Sequence, residues 1–160
     1  MTSIPMKVKV KKLSAYAVMP TKAHATDAGF DLTAICREFD KDGNIVYHFG
    51  LALEIPEGYV GLIFPRSSIC KKDLTLSNAV GVVDAGYRGE IIAKFKIATR
   101  VKEGKYSVAL VDQYPSANTY LPGERVAQLI ILPIPEIQLV EALNLSDTDR
   151  GQCGYGSTGQ

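Results

Sequence analysis

Four short segments of this chain set an arginine among small, polar or glycine residues. They are Pro65-Arg66-Ser67-Ser68, Tyr87-Arg88-Gly89-Glu90, Gly123-Glu124-Arg125-Val126-Ala127-Gln128 and Arg150-Gly151. This is the chemistry of phosphate. A guanidinium offers a planar pair of N–H donors to two phosphate oxygens, and serine hydroxyls and loop amides supply the remaining donors. Each segment alone is weak, because an arginine beside a turn is usually a solvated charge. The GxxxxGK[ST] pattern is absent, so no single P-loop gathers the donors. One carboxylate stands out beside them. Asp84, in Asp84-Ala85-Gly86, suits a general base that holds a water molecule, and it equally suits ordinary turn chemistry. The C-terminal residues 151–160, GQCGYGSTGQ, hold four glycines and one bulky apolar residue, Tyr155. Such a segment buries too little surface to offset its backbone entropy. It reads either as a frayed tail or as a glycine-rich flap that orders over a ligand.

The elements that must position these residues are strands. Met6, Val8 and Val10 alternate with Lys7, Lys9 and Lys11, and Ile91, Ala93, Phe95 and Ile97 alternate with Lys94 and Lys96. Ile45, Tyr47, Phe49, Leu51, Leu53 and Ile55 form a longer apolar row of the same period, two. That period puts every second side chain on one face. Tyr59–Phe64 and Val126–Leu132 are apolar at nearly every position and predict strands buried on both faces. Lys105–Asp112 predicts a further strand, within an extended surface hairpin over residues 100–119. Turns fall at Asp42-Gly43, Pro56-Glu57-Gly58, Glu103-Gly104 and Pro122-Gly123. Only Ser67–Lys72 suits a short helical turn. Many short strands with frequent turns predict an all-β jelly-roll barrel over residues 1–149, followed by a flexible flap over 150–160.

Bulk properties exclude other classes. Of the 160 residues, 46% are hydrophobic, and 18 Lys and Arg oppose 17 Asp and Glu, for a net charge of +1. This balance does not suit a protein that coats nucleic acid or a membrane surface. Cys36, Cys70 and Cys153 are odd in number and widely spaced, and with only His24 and His48 beside them they predict neither a zinc site nor a disulfide framework. No apolar run approaches membrane-spanning length, and the charged N-terminus lacks a signal-like apolar block. A cytoplasmic protein is expected.

In order along the chain, five segments resemble the five motifs of the trimeric deoxyuridine triphosphatases. They are Ala28-Gly29-Phe30-Asp31-Leu32; Pro65-Arg66-Ser67-Ser68; Asn78 through Gly81-Val82-Val83-Asp84-Ala85-Gly86-Tyr87-Arg88-Gly89-Glu90; Gly123-Glu124-Arg125-Val126-Ala127-Gln128-Leu129; and Arg150-Gly151-Gln152-Cys153-Gly154-Tyr155-Gly156-Ser157-Thr158-Gly159. The resemblance spans residues 28 to 159. It departs from the usual pattern at Cys153, where glycine is common, and at Tyr155, where phenylalanine is.

The resemblance implies a homotrimer of distorted jelly-roll barrels that hydrolyses dUTP to dUMP and pyrophosphate, with each active site drawn from all three subunits. Asp84 would be the general base. Tyr87 would pack under the deoxyribose and exclude a ribose 2′-hydroxyl, while Asn78, Gly81 and Val83 would read the edge of uracil. Arg66, Ser67, Ser68 and Gln128 would hold the α- and β-phosphates. Arg150, Ser157 and Thr158 would grip the γ-phosphate from a flap ordered by substrate, with Gly156 admitting close backbone approach and Tyr155 stacking on the base. Mg²⁺ would accompany the triphosphate, with Asp31 near its water shell. The 100–119 hairpin resembles insertions in some phage relatives and would suit a protein partner; a phage-encoded chain would act in host cytoplasm. Two other functions suit the same residues: a deoxycytidine triphosphate deaminase on a similar fold, and a dUTP-binding regulator of a protein partner.

Overall fold

The computed structural model describes residues 5–98 and 118–152. Its strands are β1 (Lys9–Lys12), β2 (Phe30–Thr33), β3 (Cys36–Phe39), β4 (Ile45–His48), β5 (Leu51–Glu54), β6 (Tyr59–Pro65), β7 (Leu74–Leu76), β8 (Gly81–Val83), β9 (Ile92–Ile97) and β10 (Arg125–Pro133). A 3-10 turn at Ser67–Lys71 is the only helical element among the described residues. The fold is all-β, as the period-two patterning predicts. Every strand pair is antiparallel, in sheets ordered β2-β10-β6-β8, β3-β4-β9-β7 and β1-β5.

The apolar row from Ile45 to Ile55 is buried throughout, with Tyr47 and Phe49 fully enclosed. It is nonetheless two strands in two sheets. Gly50 has φ of +63°, and a Cβ there would meet the side chain of Ile35 at 2.6 Å. A left-handed glycine interrupts the ladder and carries the chain around a barrel corner while the inward alternation continues. The core centres on Tyr47, Phe95 and Tyr120. Tyr47 meets Phe95 edge-on at 5.6 Å between centroids and Tyr120 at 6.2 Å. The Tyr47 hydroxyl donates to the Tyr120 carbonyl at 3.0 Å and accepts from its amide at 3.1 Å. A phenol in an apolar core is therefore satisfied at both valences.

The strands expected to be buried on both faces, β6 and β10, are covered on one. Ile63, Ala127 and Leu129 point into the core. On the opposite face, Val82 (64% exposed) lies beside Leu62, Leu62 beside Ile130, and Val60 beside Leu132 (44% exposed). Among the described residues this outer apolar face is only partly covered. Beyond Pro133 the chain leaves the barrel, and Ile137, Leu139, Val140, Leu143 and Leu145 are all exposed. The predicted 105–112 strand lies outside the described residues.

Candidate active site

Two separate places in the chain gather the candidate residues. The first is a cleft of about 200 Å³ at the β8 edge, lined among others by Asn78, Gly81, Val83, Asp84, Tyr87 and Glu90. Its upper wall is the turn joining β7 to β8. There Ala79 has φ of 60°, the only non-glycine residue in the left-handed region among the described residues. The Ala79 amide donates to the Leu76 carbonyl at 3.2 Å, and the Val80 amide to that of Asn78 at 2.6 Å. Strain of this kind, about 1–3 kcal/mol, persists only where neighbours fix the backbone. Ser77 fixes this one. Its amide donates to the Lys94 carbonyl at 2.9 Å, and its hydroxyl donates to Asn44 at 2.8 Å. Asn44 is itself buried and donates through its side-chain amide to Asp40. The Asn44 side chain and amide, aided by Lys94, hold the Asp40 carboxyl down at about 2 despite its partial desolvation.

The lower wall is the loop from Asp84 to Glu90. The Tyr87 amide closes a turn on the Asp84 carbonyl at 3.0 Å. The Tyr87 ring folds back over Gly89, and its hydroxyl donates to the Glu90 carbonyl at 3.0 Å. Only glycine fits below that ring, since a Cβ on Gly89 would stand 2.6 Å from Tyr87 Cζ. Asp84 is exposed at the cleft, and its carboxylate has no hydrogen-bond or ion-pair partner among the described residues. Such a group is available to a water molecule.

The second place lies on the outer face of the β2-β10-β6-β8 sheet. Register sets Asp31 of β2 opposite Gln128 of β10, and Gln128 opposite Phe64 of β6. Arg66 follows β6 and reaches across. Its Nε donates to Asp31 Oδ1 at 2.6 Å, while Arg125 donates to Oδ2 at 3.0 Å. Asp31 thus grips the Nε edge of Arg66 and leaves Nη1 for an anion. The Gln128 side chain donates to the Pro65 carbonyl at 3.1 Å and packs on Gly29, where a Cβ would sit 2.6 Å from Gln128 Oε1. Ser67 is exposed at the start of the 3-10 turn, and Ser68 shares a 2.8 Å hydrogen bond with the Tyr120 hydroxyl. Among the described residues no group of three or more His, Cys, Asp or Glu could hold a metal ion.

The chain does not join these two places. Val83 lies opposite Gly61, five residues before Arg66 on the same run of strand. At about 3.3 Å per residue that separates them by about 17 Å, whereas groups serving one phosphorus atom must lie within a few ångströms of it. Arg150 is exposed at the end of the arm that leaves the barrel, and Tyr155, Gly156, Ser157 and Thr158 lie outside the described residues. Sequence reasoning missed Gly29, Gly89 and Tyr120, which act by holding Gln128, Tyr87 and Ser68. The two glycines sit inside the quoted segments, so the segments themselves were the available signal. Tyr120 carried none.

Comparison with known proteins bears on both places. The family model described as dUTPase matches residues 15–104 and 92–159. The deoxyuridine 5'-triphosphate nucleotidohydrolase of Hydrogenobaculum sp. is 36% identical, over 96% of this chain and 99% of its own. A mutant dUTPase of Staphylococcus bacteriophage 80alpha, solved with dUpNHpp, superposes with a TM-score of 0.75. It is 31% identical and covers 96% of this chain and 99% of its own. A mutant dUTPase of phage phi11 of S. aureus, whose structure reveals the coordination of a structural Mg(II) ion, gives a TM-score of 0.68. It is 28% identical and covers 89% of this chain and 100% of its own.

Proposed function

The chain belongs to the dUTPase family and is a dUTP hydrolase, and on that premise we propose how its own residues divide the reaction. The split of the candidate residues into two places carries the reading: one chain supplies half of a site twice over. Asp84 and the cleft of one copy meet Arg66, Ser67, Ser68 and Gln128 of a second, and the glycine-rich tail comes from a third. Two further features support association of copies. The outer face bearing Val60, Leu62, Val82, Ile130 and Leu132 is apolar and only partly covered among the described residues, and the arm after Pro133 exposes six large aliphatic side chains. Surfaces of that size and character mark protein contacts.

In the assembled site the uracil edge lies against the backbone from Asn78 through Gly81 to Val83. Fixed amides there leave a mismatched base with unpaired polar groups, which favours uracil over cytosine. Tyr87 floors the deoxyribose and leaves no room for a 2′-hydroxyl. Arg66, with Ser67, Ser68 and Gln128, receives the α- and β-phosphates, and Asp31 keeps the Arg66 fork aimed. Arg150, Ser157 and Thr158 hold the γ-phosphate, with Gly156 beside it and Tyr155 over the base. Asp84 then accepts a proton from a water molecule as its oxygen attacks the α-phosphorus. The bond from that phosphorus to the bridging oxygen breaks, and pyrophosphate leaves with the electron pair.

The donors present fit Mg²⁺ only as an ion brought in by the triphosphate. Asp31 already accepts from two arginines, which leaves lone pairs for a metal-bound water and no protein cage. When bound, the ion neutralises phosphate charge and fixes the triphosphate's orientation. No helix among the described residues is long and apolar enough to cross a membrane. The test is pyrophosphate release from dUTP, dCTP, dTTP and UTP, each with Mg²⁺. Release from dUTP alone, reduced about 10²- to 10⁴-fold by Asp84→Asn, is expected of a general base. Ammonia from dCTP, or tight dUTP binding without turnover, would replace this reading by the deaminase or the regulator.

A further inference from the structure

His48 ends β4, opposite Cys36 of β3 and Ile92 of β9. Its two ring nitrogens face two different carboxylates. Nδ1 lies 3.0 Å from Glu90 Oε2, and Nε2 lies 3.4 Å from Glu38 Oε1. Glu90 closes the loop that carries Asp84 and Tyr87. Its other carboxylate oxygen accepts the Gly50 amide at 2.8 Å, and its main-chain carbonyl accepts the Tyr87 hydroxyl at 3.0 Å. Glu90 itself lines the cleft. A chain of contacts therefore runs from the barrel corner, through His48 and Glu90, to the ring that floors the sugar site.

We propose that His48 is a positioning residue for dUTP, whose imidazolium bridges Glu38 and Glu90 and so fixes the Tyr87 floor. This rests on the reading of Tyr87 given above. A ring that donates to two carboxylates at once needs both N–H groups, and only the protonated form has both. When the proton leaves, one glutamate loses its donor. The groups facing the ring agree with a cation: β3 presents Glu38 and Cys36, the loop before β9 presents Glu90, and Ile92 of β9 is neutral. Burial of the ring works against its charge, but the hydrogen bonds and charges of Glu90 and Glu38 outweigh burial and raise the pKa above the ordinary histidine value. The bridge is thus intact below the folded pKa and lost as pH rises through it. Nothing in the motifs points to His48. Only the fold brings it to Glu90.

The chain contains two histidines, so His24→Gln leaves a single imidazole signal to follow by NMR. In that background, the His48 titration is measured beside KM and kcat for dUTP and UTP across the same pH range, with and without Glu38→Gln. Glu38 is exposed, so its substitution spares the core. The expected result is a several-fold rise in KM for dUTP, with weaker rejection of UTP, over the interval in which His48 loses its proton. Glu38→Gln moves the imidazole titration and the KM transition together to lower pH, and His48→Phe abolishes the KM transition. A KM transition that stays put while the imidazole titration moves would overturn the proposal, as would a flat KM through the titration. Loss of all dUTP hydrolysis with a normal imidazole titration would instead strike the underlying assignment of the cleft.

Discussion

If the active site is shared between copies, two dead variants must restore each other. Asp84→Asn removes the base and is expected to cost about 10²- to 10⁴-fold in turnover. Arg66→Ala removes charged hydrogen bonds to phosphate, each worth about 1.5–3 kcal/mol, or about ten- to a hundredfold. It also strips Asp31 of one of its two cationic partners. Each variant alone is therefore nearly inactive. In a cyclic trimer assembled at random from equal amounts of both, each site takes its cleft from one copy and its phosphate donors from the next. Both halves are intact in about one site in four over the whole mixture and in about one site in three of each mixed trimer, so doubly tagged assemblies recover about a third of wild-type activity. The assay is co-refolding of differently tagged variants, isolation of doubly tagged assemblies, and pyrophosphate release from dUTP. The separation of about 17 Å between Val83 and Arg66 along the strand sets the stakes. If doubly tagged trimers stay at the mean of their parents, the two places belong to one chain's site and the assembly argument is wrong.

Other perturbations probe single links. Gly89→Ala should push the Tyr87 ring from its seat, raising KM for dUTP and weakening rejection of UTP while circular dichroism stays native. Gly29→Ala should displace Gln128 from the Pro65 carbonyl and raise KM without relaxing base selectivity, because it touches only the phosphate side. Asp40→Asn should lower thermal stability at neutral pH. The wild-type carboxyl is depressed from 3.8 to about 2, so its contribution is present above the unfolded value and fades as pH falls towards 2; the melting difference should close over that interval. Phe95→Ala, in the aromatic centre, should cost about 3–5 kcal/mol in denaturant unfolding.

Period-two alternation made most of the barrel legible, because an inward side chain every second residue is what a half-buried strand requires. It could not reveal Gly50 as a corner, since the inward row from Ile45 to Ile55 continues unbroken across it. β2, β3, β7 and β8 escaped the pattern for a plainer reason: each has three or four residues and, unlike β1, β4 and β5, belongs to no longer alternating row. The family was legible as five motifs, but the supports of the candidate site were not. Ser77, Asn44 and Asp40 brace the Ala79 turn through side-chain contacts between residues 33 and four positions apart, and such pairings leave no local signature. Local patterns also mislead. Gly154, Gly156 and Gly159 carry the G-x-G-x-x-G spacing of a dinucleotide fingerprint, yet that fingerprint needs a strand directly before it, and an exposed arm without strand structure leads up to Gly151 instead.

The two-sided apolar character of β6 and β10 carries the deepest consequence. A strand needs one apolar face to fold into a barrel; these have two, and the described residues fully cover only the inner one. The outer face is also where the candidate phosphate donors sit. Asp31, Gln128 and Phe64 share a register row, and alternation places Leu62 and Ile130 on that same side. Whatever covers the apolar patch therefore meets Arg66 and Gln128 at its margin. Val82, the most exposed member of the patch, belongs to β8, and Asp84 follows that strand directly. Thus the surface proposed to receive a second copy is bounded on one side by the candidate phosphate donors and on the other by the candidate base. In the proposed assembly, burial of this apolar area would supply the free energy of association, and the same contact would bring half-sites of different copies together. On the proposed reading, folding of one chain prepares both halves and assembly completes the site.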